Sequence, residues 1–331
     1  MFIDEPETRA VVNAALDLGI NHFDTADVYG EGLSEEYLGR ALGAHRPEVV
    51  IATKFGAANP PTGIRPASAG WVRRSCDASL RRLKTDWIDL YWQHQPDPAT
   101  PIGETLAVLG DLQTEGKVRE IGCSNFSPDQ LDEAALAAAD LGIPGFCAVQ
   151  NSYSLLDRTA EAKFIPAATR LGAQLVPYLP LASGMLTGKY RRQEKQPHSG
   201  RLAMELRGSL VRSYFPALLS DQCFDVVEAL QEYALERGRS LIDLALSWLA
   251  SKPYVASVIA GATSPEQLRS NVTSMFAWQM TDDEERDVAR ITRADVAFTW
   301  NAGSPPYSQL PEGVDLIAVP NVRAQGPVLD G

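Results

Sequence analysis

No apolar run in this sequence approaches the ~20 residues needed to cross a bilayer, which excludes a spanning helix. The first residues, Met1-Phe2-Ile3-Asp4-Glu5, lack the basic and apolar regions of a signal peptide. Cysteine is scarce: Cys76, Cys123, Cys147 and Cys223 share no Cys-x-x-Cys spacing, and a chain of 331 residues has no need of disulfide staples. No metal site is expected, and reduced thiols in a soluble, cytoplasmic protein are the simplest reading. Basic residues are outnumbered, and the formal charge of -12 excludes nucleic acid or an anionic membrane as the main partner, since both attract basic surfaces. Histidine occurs only four times. A Gly-x-Gly-x-x-Gly fingerprint is missing as well: Gly30-Glu31-Gly32 runs on into Leu33-Ser34-Glu35, so the nucleotide-binding turn of an open doubly wound sheet is not expected.

What is present is alternation. Apolar helical periodicity over 6–18, with Gly19 as a stop, precedes an apolar run at 20–24. The pattern repeats as helices over 34–42, 68–83, 102–113, 128–141, 159–171 and 241–250, each leading to a strand, at 49–53, 87–92, 118–123, 146–150, 173–178 and 255–260. Ser34 is expected to cap the second helix, Pro128 opens the fifth, and Pro265 opens a last helix through 271. Helix before strand, repeated this often, predicts parallel strands with right-handed crossovers. The fold class expected is α/β, a (β/α)8 TIM barrel over residues 1–293, with a loop insertion at about 190–225 and a C-terminal tail at 294–331. Seven strands are found where eight are required, so the barrel is expected to lack its first strand at the N-terminus through truncation, leaving open edges near 20 and 260. The apolar stretch 314–319 is the only candidate replacement.

Four strand ends carry chemistry: Asp24-Thr25-Ala26-Asp27-Val28-Tyr29, Thr53-Lys54, Trp92-Gln93-His94 and Ser124-Asn125. Alone, each has an ordinary reading as a loop cap, a solvated lysine or a structural histidine. Barrel strand ends share one mouth, and their joint occurrence there points to a carbonyl-reducing site. Hydride transfer to a carbonyl builds negative charge on oxygen, so the site must stabilise that charge and supply a proton. Tyrosine, with an ordinary pKa near ~10, needs a cation beside it to do so. The assignment is Tyr29 as general acid, Lys54 as the cation, Asp24 as its partner, and His94 as a hydrogen-bond donor to the substrate oxygen. Ser124, Asn125 and Gln150 offer the donors and acceptors a nicotinamide carboxamide needs, and Ser264-Pro265-Glu266-Gln267 reads as a capping box whose helix start suits an anion. Trp92 and Tyr153 are expected to add apolar surface near the mouth, with pocket walls from 59–68, 95–100 and 191–219. Cys123 and Met185 are read as packing residues. No segment specifies an oligomeric state or the carbonyl substrate.

Seven motifs in order support a resemblance: Phe-Asp-Thr-Ala-x-x-Tyr-Gly, Thr-Lys-Phe, Asp-Leu-Tyr-x-x-His, Gly-x-Ser-Asn-Phe, Gln-x-x-Tyr-Ser-Leu-Leu-Asp-Arg, Leu-Thr-Gly-Lys-Tyr and Gly-Ala-x-Ser-Pro-Glu-Gln-x-x-x-Asn. From about Glu5 to Asn271 the chain resembles the aldo-keto reductase superfamily, especially the branch of bacterial reductases and potassium-channel β-subunits. The resemblance implies NADPH (NADP) as cofactor, a small carbonyl substrate and the same four catalytic positions. It implies that Tyr178 stacks on the nicotinamide, that the segment holding Leu181, Gly184 and Lys189 covers the pyrophosphate, and that Gly261, Gln267 and Asn271 line the cofactor. Lys189 and Arg201 are candidates for the 2′-phosphate. Where another branch has a phosphate-binding Lys-Ser pair and a later Arg, this chain has Gly261, Ala262 and Gln267. An alternative implied by the same branch is a non-catalytic, sensor-type NADP(H)-binding regulator.

Overall fold

The computed structural model describes residues 3–57, 65–192 and 218–292. Helices and strands alternate through α1 (Glu5–Asp17), β1 (His22–Asp24), α2 (Leu33–Leu42), β2 (Val50–Phe55), α3 (Ala69–Leu83) and β3 (Ile88–Gln93). They continue through α4 (Ile102–Thr114), β4 (Val118–Ser124), α5 (Pro128–Leu141), β5 (Ala148–Gln150), α6 (Phe164–Arg170) and β6 (Gln174–Leu175). Four helices follow: α7 (Asp221–Leu235), α8 (Leu241–Ala250), α9 (Pro265–Met275) and α10 (Asp282–Thr292). The six strands form one parallel sheet in consecutive order, so every crossover carries a helix to the same outer side. No helix among the described residues is long and apolar enough to cross a membrane.

Residues 255–260 take the next place in the ladder. Val255 forms a parallel bridge to Leu175, Ala256 N donates to Leu175 O at 2.9 Å, and Ile259 N donates to Pro177 O at 3.3 Å. The expected strand there is thus an extended segment with few ladder bonds. It meets β1 across the opening, where His22 Nδ1 and Ser257 Oγ lie 2.9 Å apart. Outside that contact, Ala14 and Ala15 of α1 pack with Leu268 of α9. The edges expected to stand open are therefore joined by a side-chain bond and a helix contact. The stretch 314–319 lies outside the described residues, as do most of 190–225 and the whole of 294–331.

Burial comes in two shells. Ala52, Leu90, Trp92, Ala148 and Val176 fill the inside of the curled sheet. Phe55, Val72, Cys76, Tyr91, Leu106, Leu109 and Ile121 fill the layer between the sheet and α3 and α4. β2 and β3 are buried along nearly their whole length, between the inner cluster and the helices. Cys123 and Met185 are wholly buried packing residues, as read.

Several helix starts are closed by side-chain caps. Asp4 and Glu7 close a capping box on α1, as Ser127 and Gln130 do on α5. Ser34, expected as the cap of α2, sits inside the helix and shares a 2.8 Å hydrogen bond with Thr25 Oγ1. The N-cap position is taken by Gly32 at φ 93°, a left-handed geometry that glycine adopts without strain. The helix expected at 159–171 is broken into a 3₁₀ turn and a short α6. α7 lies mostly beyond the insertion expected at about 190–225, in a stretch for which the sequence gives no expected element.

Gly39 places α2 against α3, since a Cβ there would stand 2.4 Å from Leu83 O and 2.6 Å from Leu83 C. Replacing glycine by alanine in a helix ordinarily gains ~1 kcal/mol. Here the obstacle is backbone, so Gly39→Ala is expected to reverse that sign and lose about 1–3 kcal/mol in denaturant unfolding.

Candidate active site

The carboxyl ends of the strands gather the polar residues. Asp24 ends β1, Lys54 lies near the end of β2, and His94 follows β3 directly, its N donating to Phe55 O at 2.8 Å. Tyr29 enters through a 3₁₀ turn, Tyr29–Gly32, in which Gly30 (φ 59°), Glu31 (φ 57°) and Gly32 (φ 93°) are all left-handed. That turn folds the phenol back over the strand ends.

Lys54 is wholly buried, and Nζ donates to Asp24 Oδ1 and, at 2.7 Å, to Thr25 O. The ammonium lies 4.9 Å from the centre of the Tyr29 ring, and that ring meets the His94 ring edge-on at 6.1 Å. The four residues predicted from sequence are thus one cluster. Burial alone would lower the Lys54 pKa, but the Asp24 carboxylate, with Tyr29 contributing, outweighs it and raises the pKa. His94 goes the other way: burial, with the Lys54 cation adding, pushes it down to about 3, so the imidazole is neutral at physiological pH. Tyr29 is 42% exposed and opens to solvent.

The carboxamide candidates are joined to this cluster and to one another. Ser124 Oγ donates to Gln150 O at 2.7 Å, and Gln150 Nε2 donates to Asp24 Oδ2 at 2.9 Å. Asn125, left-handed at φ 63°, donates through Nδ2 to His94 O and Ser124 Oγ, each at 3.0 Å, and its Oδ1 accepts from Tyr178 Oη at 2.7 Å. These side chains therefore brace the ends of β3 to β6 as well as lining them.

Leu181 precedes a second left-handed turn, Ala182–Thr187, with Ser183 at φ 54° and Gly184 at φ 97°. A Cβ on Gly184 would lie 3.1 Å from Lys189 Cε and 3.2 Å from Nζ, so the lysine folds over the glycine. Burial lowers the Lys189 pKa. Ser183 Oγ is buried without a partner among the described residues. Gly261 and Gln267 are exposed, and Asn271 is buried. The helix start at 264–267 differs from a capping box: Ser264 Oγ accepts from Gln267 N at 3.3 Å, but Gln267 Oε1 turns back to Thr263 N and Oγ1, both at 2.9 Å. Arg201 lies outside the described residues.

Both aromatic residues expected to add surface near the mouth are fully buried. Tyr153 is buried, donating to Glu161 Oε1 at 2.7 Å and packing on the Trp248 ring at 5.1 Å. Trp92 is buried inside the sheet, with Nε1 3.1 Å from Asp24 Oδ2. Spacing along the chain assigns a face but not a depth, so it does not report this burial. Asp89, from the Asp-Leu-Tyr motif, holds Arg46 and Arg119, each at 2.8 Å, away from this cluster.

Sequence reasoning also passed over Asp27 and Glu35. Glu35 is buried and accepts from Thr53 Oγ1 and Arg82 Nε, each at 2.6 Å. Asp27 Oδ1 is buried with no partner among the described residues, and burial followed by the Glu35 charge raises its pKa to about 6. The folded chain then holds a proton up to about pH 6 that an unfolded aspartate releases near ~3.9, so stability falls as pH rises through that window. Asp27→Asn is expected to gain about 2–3 kcal/mol at pH 7 and nothing below about pH 4, read by denaturant unfolding at both.

The layering defines the class: a helix-covered parallel α/β sheet of barrel type, with its polar cluster at the carboxyl ends of the strands. The chain belongs to the aldo/keto reductase family, matched over residues 1–293, whose fold is a (β/α)8 barrel. Enzymes of this family are oxidoreductases that generally use a nicotinamide cofactor, NAD(P)H. The chain is 35% identical over 277 residues to a probable voltage-gated potassium channel subunit beta of Arabidopsis thaliana, covering 82% of this chain and 83% of that one. It is 34% identical over 307 residues to the L-glyceraldehyde 3-phosphate reductase of Escherichia coli K12, covering 89% and 86%. It is 32% identical over 295 residues to the aldo-keto reductase YhdN of Bacillus subtilis, covering 87% and 84%.

Proposed function

We propose that this chain reduces an aldehyde or ketone to an alcohol with NADPH, with residues 1–293 as the reductase barrel and 294–331 as an appended tail. The observation that carries the reading is the buried Lys54 ammonium, held by Asp24 and placed against the ring of an accessible Tyr29. The turn at 182–187 fits the cofactor's phosphates: the Ser183 hydroxyl lacks a partner among the described residues, the bend is left-handed, and Lys189 lies over a glycine whose Cβ would fill the cradle. Lys189, with Arg201, is our candidate for the 2′-phosphate. When bound, the nicotinamide supplies the hydride. Tyr29 Oη gives its proton to the carbonyl oxygen, Lys54 stabilises the charge left on the phenol, and Asp24 keeps Lys54 charged and in place. His94, neutral, orients the oxygen through an N–H. Tyr178, whose Oη donates to Asn125 Oδ1, is our candidate for stacking on the nicotinamide. The four cysteines are free, which agrees with a cytoplasmic protein.

Similarity to potassium-channel subunits favours a second reading, a cofactor-binding regulator. Cofactor oxidation with a panel of aldehydes and ketones separates the two. Carbonyl-dependent NADPH consumption supports the reductase, and NADPH binding without turnover supports the regulator.

A further inference from the structure

Among the described residues Lys54 has one carboxylate partner, and what holds that carboxylate is not the lysine alone. Asp24 Oδ1 accepts from Lys54, while Oδ2 accepts from two neutral donors, Gln150 Nε2 at 2.9 Å and Trp92 Nε1 at 3.1 Å. The Asp24 side chain is 7% exposed, so water cannot take over from a lost donor. Trp92 stands beside Lys54 in the β2–β3 register and beside Gly122 in the β3–β4 register. A Cβ on Gly122 would lie 2.4 Å from both Cε3 and Cζ3 of the indole, so the ring lies flat against a strand that only glycine leaves clear. Ala52, Leu90, Ala148 and Val176 enclose the same cluster. The ring is fully buried, with its N–H on Asp24 Oδ2.

Chemistry also favours an indole at this point. A second cation would compete with Lys54 for the charge of the carboxylate, whereas an indole N–H fixes the carboxylate plane and leaves Lys54 as the cation next to Tyr29. We propose that Trp92 is a positioning residue of the active site, orienting the Asp24 carboxylate toward Lys54 through its indole N–H, with Gly122 as the gap that admits the ring. This rests on the reductase reading for its catalytic consequence, but the contact stands on its own geometry.

The test has two parts. In protein labelled with ¹⁵N at its six tryptophans, Trp92→Phe identifies the Trp92 indole resonance by its loss, and Asp24→Asn should then move that resonance upfield. In kinetics, Trp92→Phe should lower kcat about tenfold while KM for NADPH changes by less than about twofold, and the loss should shrink in the Asp24→Asn background. Should Trp92→Phe fold poorly, benzothienylalanine at position 92 keeps the ring shape and replaces N–H by sulfur, and the same kcat loss is expected. An indole resonance unmoved by Asp24→Asn overturns the proposal whatever the turnover. So does a kcat loss of equal size in both backgrounds, which is what a ring that merely fills space would give. Absence of carbonyl-dependent turnover in the unmodified protein overturns the reductase reading instead, and is seen before any variant is made.

Discussion

Tyr29→Phe is expected to lower the rate of carbonyl reduction by a factor on the order of 10² or more while leaving NADPH affinity nearly unchanged. The substitution deletes one oxygen from a side chain that is 42% exposed, so no buried cavity is created. Lys54 keeps its bonds to Asp24 and Thr25 O, and the ring remains as a face for the ammonium 4.9 Å away. What disappears is the proton that must reach the carbonyl oxygen. Water at the open mouth can supply one, but without the alignment and the adjacent cation, which is why the loss is large and not total. Rates under saturating carbonyl, set beside fluorescence titration of NADPH, separate the two effects. Near-normal turnover would remove Tyr29 from the mechanism.

The four residues around this proton were legible because each lies at the end of an apolar run, and parallel strands bring their ends to one side. Lys54 illustrates the limit of such legibility. Its position at a strand end was readable, but its complete burial depends on β1 and β3 closing over it, and neither is local to residue 54. Trp92 shows the same limit more sharply, since its N–H meets a carboxylate 68 residues earlier in the chain. Ser34 was misplaced by two residues because the cap of α2 is a left-handed glycine, which makes no side-chain bond for a pattern to register. The run at 255–260 looked like the other strands, yet it makes one ladder bridge, because composition reports apolarity and not pairing. Asp27 carried no signal of its own: its raised pKa comes from burial and from Glu35, which reaches it only once α2 has packed.

Lys54→Met is the harsher test of the cluster. Methionine matches the length of the lysine stem and removes only the charge, so the barrel interior stays filled. Most reductase activity should be lost, because nothing else named in the cluster is a cation that can hold the charge on the phenol. Any residual pH–rate profile should move to higher pH, since the cation that favours the ionised tyrosine has gone. Stability should fall too: Asp24 would keep Trp92 and Gln150 as donors but lose its counter-charge in a site with almost no water, and breaking a buried pair from one side costs about 3–5 kcal/mol. That cost provides an internal control. Adding Asp24→Asn to Lys54→Met removes the uncompensated charge, so the double variant should recover much of the lost stability, read by denaturant unfolding, and none of the activity. Recovery of both would mean that the lysine serves the fold alone, whereas retained activity with an unshifted profile in Lys54→Met would place it outside the chemistry altogether.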